Sequence, residues 1–91
     1  MAGKPLALGR TVATPGALQV LCKYEVSPLS LLVRHQSGDW GELCPDDKAA
    51  NERALTEGSR VFSAYPLGEE RLWVITESDR SSTCILLPEE Y

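Results

Sequence analysis

The chain is short of the residues that most often perform chemistry. Its 91 residues include one histidine, one methionine, one phenylalanine and three cysteines. The cysteines, Cys22, Cys44 and Cys84, are odd in number and widely spaced, and no C-x-x-C pair occurs. A disulfide framework would leave one thiol over, and a zinc site would lack ligands. The expectation is reduced thiols, buried as small hydrophobes, in a cytoplasmic protein. G-x-S-x-G, a Walker loop, G-x-G-x-x-G and H-E-x-x-H are all absent, so nothing calls for a cofactor or a metal. Cys44 is poorly placed as a nucleophile beside Asp46 and Asp47. No apolar run approaches the length of a membrane span, and the first residues lack the apolar stretch of a signal peptide, which argues against a membrane partner. Basic charge is also scarce. The net charge is −4 and the pI about 4.9. With Arg10, Arg34, Arg53, Arg60, Arg71 and Arg80 scattered along the chain, this balance works against direct nucleic-acid binding.

What remains is ordinary for one small globular domain, with 43% hydrophobic and 24% charged residues. Residues 1–13 are rich in Gly, Ala and Pro without periodicity, and the expectation is a loosely ordered arm before a single domain over 14–91. Thr14-Pro15 is a helix start, with a capping side chain followed by proline at the first helical position. Leu18, Leu21, Cys22 and Val26 then predict the apolar face of a helix over about 15–25. Ser27-Pro28 repeats the signal. Leu29, Leu32, Val33 and Gln36, broadened by Leu31, predict a second helix over 28–36 that stops at Gly38. Cys44-Pro45-Asp46-Asp47 starts a third over 45–57, with Ala49, Ala50, Ala54 and Leu55 as its face and Gly58 as its stop.

Beyond Gly58 the period changes to two. Arg60–Tyr65, Arg71–Glu77 and Thr83–Leu87 are rich in β-branched and aromatic residues, and turn residues separate them. The expected architecture is α+β: two to three N-terminal helices packed on a three-stranded antiparallel meander. A sheet of three strands has two open edges with few lysines to guard them, so a homodimer is among the expectations.

Rare residues concentrate at His35-Gln36-Ser37-Gly38-Asp39-Trp40-Gly41. Asp39 could orient a His35 tautomer, and Trp40 could stack on a planar ligand or anchor a partner. The same residues also suit a helix stop, with His35 at the negative end of the helix dipole, Gly38 at positive φ and Trp40 folded onto the core. A second cluster, Glu77, Asp79 and Arg80, lies on a turn that makes either a polar pocket or a solvated hairpin. Tyr65 and Trp73, on neighbouring predicted strands, either line an exposed aromatic face or pack beneath the helices.

The wording H-Q-S-G-D-W-G-E-L, D-K-A-A-N-E-R-A-L, S-A-Y, W-V-I-T-E-S-D-R-S and I-L-L-P-E-E-Y, spread from about Thr14 to Tyr91, resembles a family of short bacterial proteins. They are carried on plasmids and other mobile elements and labelled "plasmid-related protein" or "type I restriction endonuclease subunit M". The resemblance implies a bacterial accessory of mobile-element biology. It does not extend to methyl transfer, because the chain lacks an N-P-P-F/Y motif and is too short for a nucleotide-binding α/β domain. The functional expectation is a small cytosolic factor that binds another protein through the 35–41 turn and an exposed strand face or edge. One version is an inhibitor that occupies the basic groove of a nucleic-acid-handling defence system. The alternative is a small-ligand or enzymatic site where the 35–41 turn meets the 77–80 hairpin.

Overall fold

Each of the three helices opens on proline, where the missing N–H costs nothing. In the computed structural model, which describes residues 6–91, these are α1 (Pro15–Lys23), α2 (Pro28–Gln36) and α3 (Pro45–Glu57). The Thr14 side chain accepts from the Ala17 N–H and Ser27 accepts from Leu29, so two caps act as the sequence predicts. Cys44 makes no such cap. The acidic first turn of α3, Asp46 and Asp47, faces the positive end of the dipole instead.

The strands are β1 (Arg10–Ala13), β2 (Val61–Leu67), β3 (Glu70–Thr76) and β4 (Ser82–Leu86), followed by a 3-10 turn at Pro88–Glu90. They form one sheet in the order β1-β4-β3-β2. The β2–β3–β4 part is the expected antiparallel meander. The sheet as a whole is mixed, because β1 adds to β4 in parallel, with Arg10 opposite Ser82 and Ala13 opposite Ile85. This corrects the three-stranded expectation. Four residues are too few to show a period, and β1 is specified by pairing with a strand about seventy residues later rather than by its own pattern. The expected loose arm thus divides. Residues 1–5 lie outside the described part, Leu6 is buried, and residues 10–13 are strand.

Tyr65, Leu72, Val74 and Ile85 on the inner face of the sheet pack against Ala17, Val20 and Leu21 of α1 and Leu31 and Leu32 of α2. A second cluster joins Leu6, Trp40, Ala54 and Val61 at the β2 side. Two helices bury a different stripe from the one expected. In α1 the inward residues are Ala17, Val20 and Leu21, while Leu18 is 48% exposed and Cys22 is exposed. In α2 they are Leu31, Leu32 and His35, while Leu29 and Val33 face outward. Each helix is turned by one residue, about 100°. In α2 the cause is His35, a polar residue that apolar periodicity discards but the sheet below binds. The face of α3 differs too, with Asn51 and Ala54 buried and Leu55 exposed. The thiols are not core hydrophobes, since Cys22 and Cys44 are exposed and Cys84 is half-buried.

The loop after α2 is stitched to the β2 edge. Ala64 N–H donates to the Trp40 carbonyl at 3.1 Å, and Glu42 N–H donates to Ala64 at 2.8 Å. Gly41 lies between these bonds at φ +73, and a Cβ there would overlap the Ala64 carbonyl oxygen and the Tyr65 ring. Gly41→Ala is therefore expected to destabilise the chain by roughly 2 kcal/mol or more, from the left-handed backbone and the lost stitch together. Denaturant unfolding measures this, and a loss below about 0.5 kcal/mol would contradict the assignment.

Candidate functional site

The 35–41 segment is built as a helix terminus. Asp39 N–H donates to Arg34 at 2.9 Å and Gly38 N–H donates to His35 at 3.3 Å, the paired bonds of a Schellman motif, with Gly38 at φ +91. The Asp39 carboxylate accepts from Arg34 Nε at 2.7 Å and from Gly41 N–H at 3.2 Å. That guanidinium holds the carboxyl below its ordinary range, and the carboxylate in turn raises Arg34. Arg34 also covers the Tyr65 ring at 4.4 Å, and the Tyr65 hydroxyl donates to the Asp39 carbonyl at 2.6 Å. Burial pushes that phenol up to about 12. Trp40 is 4% exposed and donates its indole N–H to Glu52 at 2.9 Å. Its ring meets His35 edge-on at 5.8 Å. Asp39 thus orients the loop and Arg34, not the imidazole.

His35 is fully buried, with both ring nitrogens engaged. Nδ1 is 2.5 Å from Ser63 Oγ and Nε2 is 2.9 Å from Thr76 Oγ1. Thr76 Oγ1 is 2.7 Å from Thr83 Oγ1, and Thr83 donates to the Leu8 carbonyl at 2.8 Å. The terminal carbonyl sets every proton. Thr83 spends its hydrogen on Leu8, so Thr76 must donate to Thr83. Nε2–H must then donate to Thr76, and in the neutral ring Nδ1 accepts from Ser63. Burial lowers the His35 pKa to about 4, so the imidazole is neutral at pH 7. No buried side-chain N or O among the described residues lacks a partner. Such an imidazole holds the fold together but offers no proton to solvent.

The second cluster is also occupied. Arg80, at φ +62, donates to the Ala54 carbonyl at 2.9 Å, to Ser59 at 2.6 Å and to Glu77 at 3.2 Å. It closes the carbonyl end of α3, whose last turn carries no basic residue of its own. Asp79 accepts from Ser81 N–H at 3.0 Å, the Asx bond of the hairpin. No hydrogen bond or ion pair among the described residues joins the 35–41 turn to the 77–80 hairpin, so the structure does not assemble them into one polar cleft. Tyr65 and Trp73 also part company. Tyr65 lies on the inner face, while Trp73, opposite Ala64, lies on the outer one.

Two surface hollows are present, and of the expected site residues only Trp73 lines either of them. On the outer sheet face a cleft of about 340 Å³ is lined by Phe62, Trp73 and Ile75 on its floor, with Asp47, Ala50 and Asn51 of α3, Arg60 and Tyr91 around it. Phe62 and Trp73 meet edge-on at 4.9 Å, and Trp73 and Tyr91 at 5.8 Å. At the other end of the sheet, a groove of about 120 Å³ separates β1 from the start of α2, lined by Thr11, Val12, Ala13, Pro28, Leu32 and Ile85. The alternation of Arg60–Tyr65 signals that Phe62 opposes Val61, Ser63 and Tyr65, but no local signal brings Tyr91 or α3 to that face. No group of three or more metal-ligating side chains occurs among the described residues, and no helix among them is long and apolar enough to cross a membrane. A scan against protein-family models gives no match, and searches of curated proteins and of solved structures give none either.

Two outcomes test these assignments. The unfolded chain takes up a proton at His35 near pH 6.5, but the folded chain does so only near 4. The stability contribution is therefore intact above pH 6.5 and falls as pH drops from 6.5 to 4. The total loss is about 3 kcal/mol, with a plateau below that window. Urea unfolding at stepped pH should show the slope between about pH 6.5 and 5, above the range where carboxylates protonate, in the parent chain and not in His35→Gln. Arg80→Lys is expected to cost roughly 1–2 kcal/mol, because one ammonium cannot span the Ala54, Ser59 and Glu77 carbonyls. A change below about 0.3 kcal/mol in thermal unfolding would remove Arg80 from that role.

Proposed function

We propose that the chain is a protein-interaction module, an accessory factor of bacterial mobile-element origin, that recognises its partner by strand addition to β1. One observation carries this reading. Among the described residues, β1 is an edge strand whose outward backbone is unpaired and lies beside an apolar groove. Arg10 N–H donates to Ser81 and Thr14 N–H donates to Ile85. The period of two then directs the N–H and C=O groups of Thr11 and Ala13 to the open side. An extended segment adding there would gain main-chain hydrogen bonds and set alternate side chains into the groove. Val12, 46% exposed, supplies apolar surface at the groove. The opposite edge is not equivalent, because residues 40–42 already cover part of β2.

The three free thiols suit a reducing cytosol. The resemblance to plasmid-borne proteins supports the mobile-element setting. The carboxylates lie on separate elements, with Asp46 and Asp47 opening α3, Glu69 and Glu70 at the β2–β3 turn and Glu89 and Glu90 in the 3-10 turn. None of the residues lining the β1 groove is acidic, so this reading does not draw on the acidity of the chain. The alternative reading, a ligand site shared by the 35–41 turn and the 77–80 hairpin, draws no support from side chains already bonded to the fold.

Thr11→Pro removes an outward donor and leaves the β1–β4 ladder intact, so stability should change by less than about 1 kcal/mol. A partner captured through a photocrosslinker at Val12 should be lost in this variant. Amide exchange at Thr11 and Ala13 should be fast in the isolated chain and slow in the complex. Capture unaffected by Thr11→Pro overturns the reading. Sedimentation as a dimer with both amides protected would make the partner a second copy.

A further inference from the structure

We infer that the outer-face cleft, at the opposite end of the sheet from β1, is a binding site for a planar aromatic monocarboxylate. The shape and the charges both lead there. The floor combines Phe62, Trp73 and Ile75, and the edge-on contacts of Trp73 with Phe62 and Tyr91 leave open a space of about 340 Å³. That is the lower range of volumes that hold small organic ligands, and enough for a fused two-ring body. Flat aromatic groups gain both burial and quadrupole complementarity against such walls.

The anionic end of the ligand follows from Arg60. Its guanidinium lies over the Tyr91 ring at 5.4 Å and donates one Nη1 hydrogen to the Tyr91 hydroxyl. These contacts hold an otherwise flexible side chain at the rim. No carboxylate lies within ion-pair distance of it among the described residues, where Asp39 pairs with Arg34 and Glu42 with Arg71. The remaining donors, Nε and Nη2, form the fork that receives a carboxylate in two parallel hydrogen bonds. Asn51 does not compete, since its amide is spent on the Phe62 backbone N–H and carbonyl. Asp47, also without a cationic partner among the described residues, sits on the α3 wall and repels a second anionic group, which limits the ligand to one.

The two tryptophans give the test an internal control. The Trp40 indole N–H is bonded to Glu52 inside the fold, whereas that of Trp73 makes no hydrogen bond among the described residues. In an ¹⁵N-resolved NMR titration with 2-naphthoate, the Trp73 indole signal should shift saturably while that of Trp40 stays in place. The neutral isostere 2-naphthamide, the dianion 2,6-naphthalenedicarboxylate and the Arg60→Gln variant should each weaken binding at least tenfold. Ala50→Phe, on the exposed surface of α3, fills the cleft and should abolish binding with Arg60 intact. Equal affinity for naphthoate and naphthamide, unsaturable shifts spread over the surface, or undiminished binding to Ala50→Phe would each overturn the assignment.

Discussion

One chain of hydrogen bonds crosses the whole sheet, and the rest of the fold is arranged around it. It runs from Ser63 on β2 through His35 on α2 to Thr76 on β3, Thr83 on β4 and the Leu8 carbonyl just before β1. An unpaired imidazole or hydroxyl in this interior would cost on the order of 1–3 kcal/mol each. The four side chains can only be buried together, with β1's lead-in segment in place to receive the last proton. This single constraint sets the rotation of α2, aligns β2, β3 and β4, and recruits the N-terminal segment. Apolar packing supplies most of the stabilisation, but it is non-directional. Register and helix orientation come from the polar chain.

The same constraint separates what the sequence reveals from what it hides. Helix boundaries were legible, since Thr14-Pro15, Ser27-Pro28 and Pro45-Asp46-Asp47 act through neighbours only, as do the Gly38 and Gly58 stops. The meander was legible for the same reason, with alternation and turn residues that are local. Helix faces were not. Leu29 and Val33 look like core residues until His35 is known to have partners, and Ser63, Thr76 and Thr83 lie 28 to 48 positions away in the chain. β1 was hidden because its reason for being a strand lies at residues 82–85.

The candidate site shows a parallel division. The 35–41 segment concentrates histidine, tryptophan and aspartate, residues that can perform chemistry. Each serves the fold here, as the hub of a buried network, the plug of a small core and the clamp on a helix end. Among the candidate site residues, Trp73 alone lines one of the two surface hollows. Its neighbours there come from α3, the loop that follows it, β2, β3 and Tyr91, which nothing short of the tertiary structure brings together. Chemical rarity located the residues that specify the fold, and exposure located the surfaces left for recognition.

The parallel pairing of β1 with β4 bears on how the chain is made. During synthesis the lead-in and β1 emerge before β4, the strand that receives them, which follows more than sixty residues later. Until then the buried imidazole network lacks Thr83, its link to the Leu8 carbonyl, and β4, once formed, has an unprotected edge until β1 docks. Non-local pairing of this kind is slow to form and exposed to competition. In a crowded population of nascent chains, the first β1 to reach a given β4 need not be its own. An exchanged strand would reproduce every contact of the native sheet between two molecules rather than within one. The element that completes the fold is thus also the one through which two copies of the chain can become entangled.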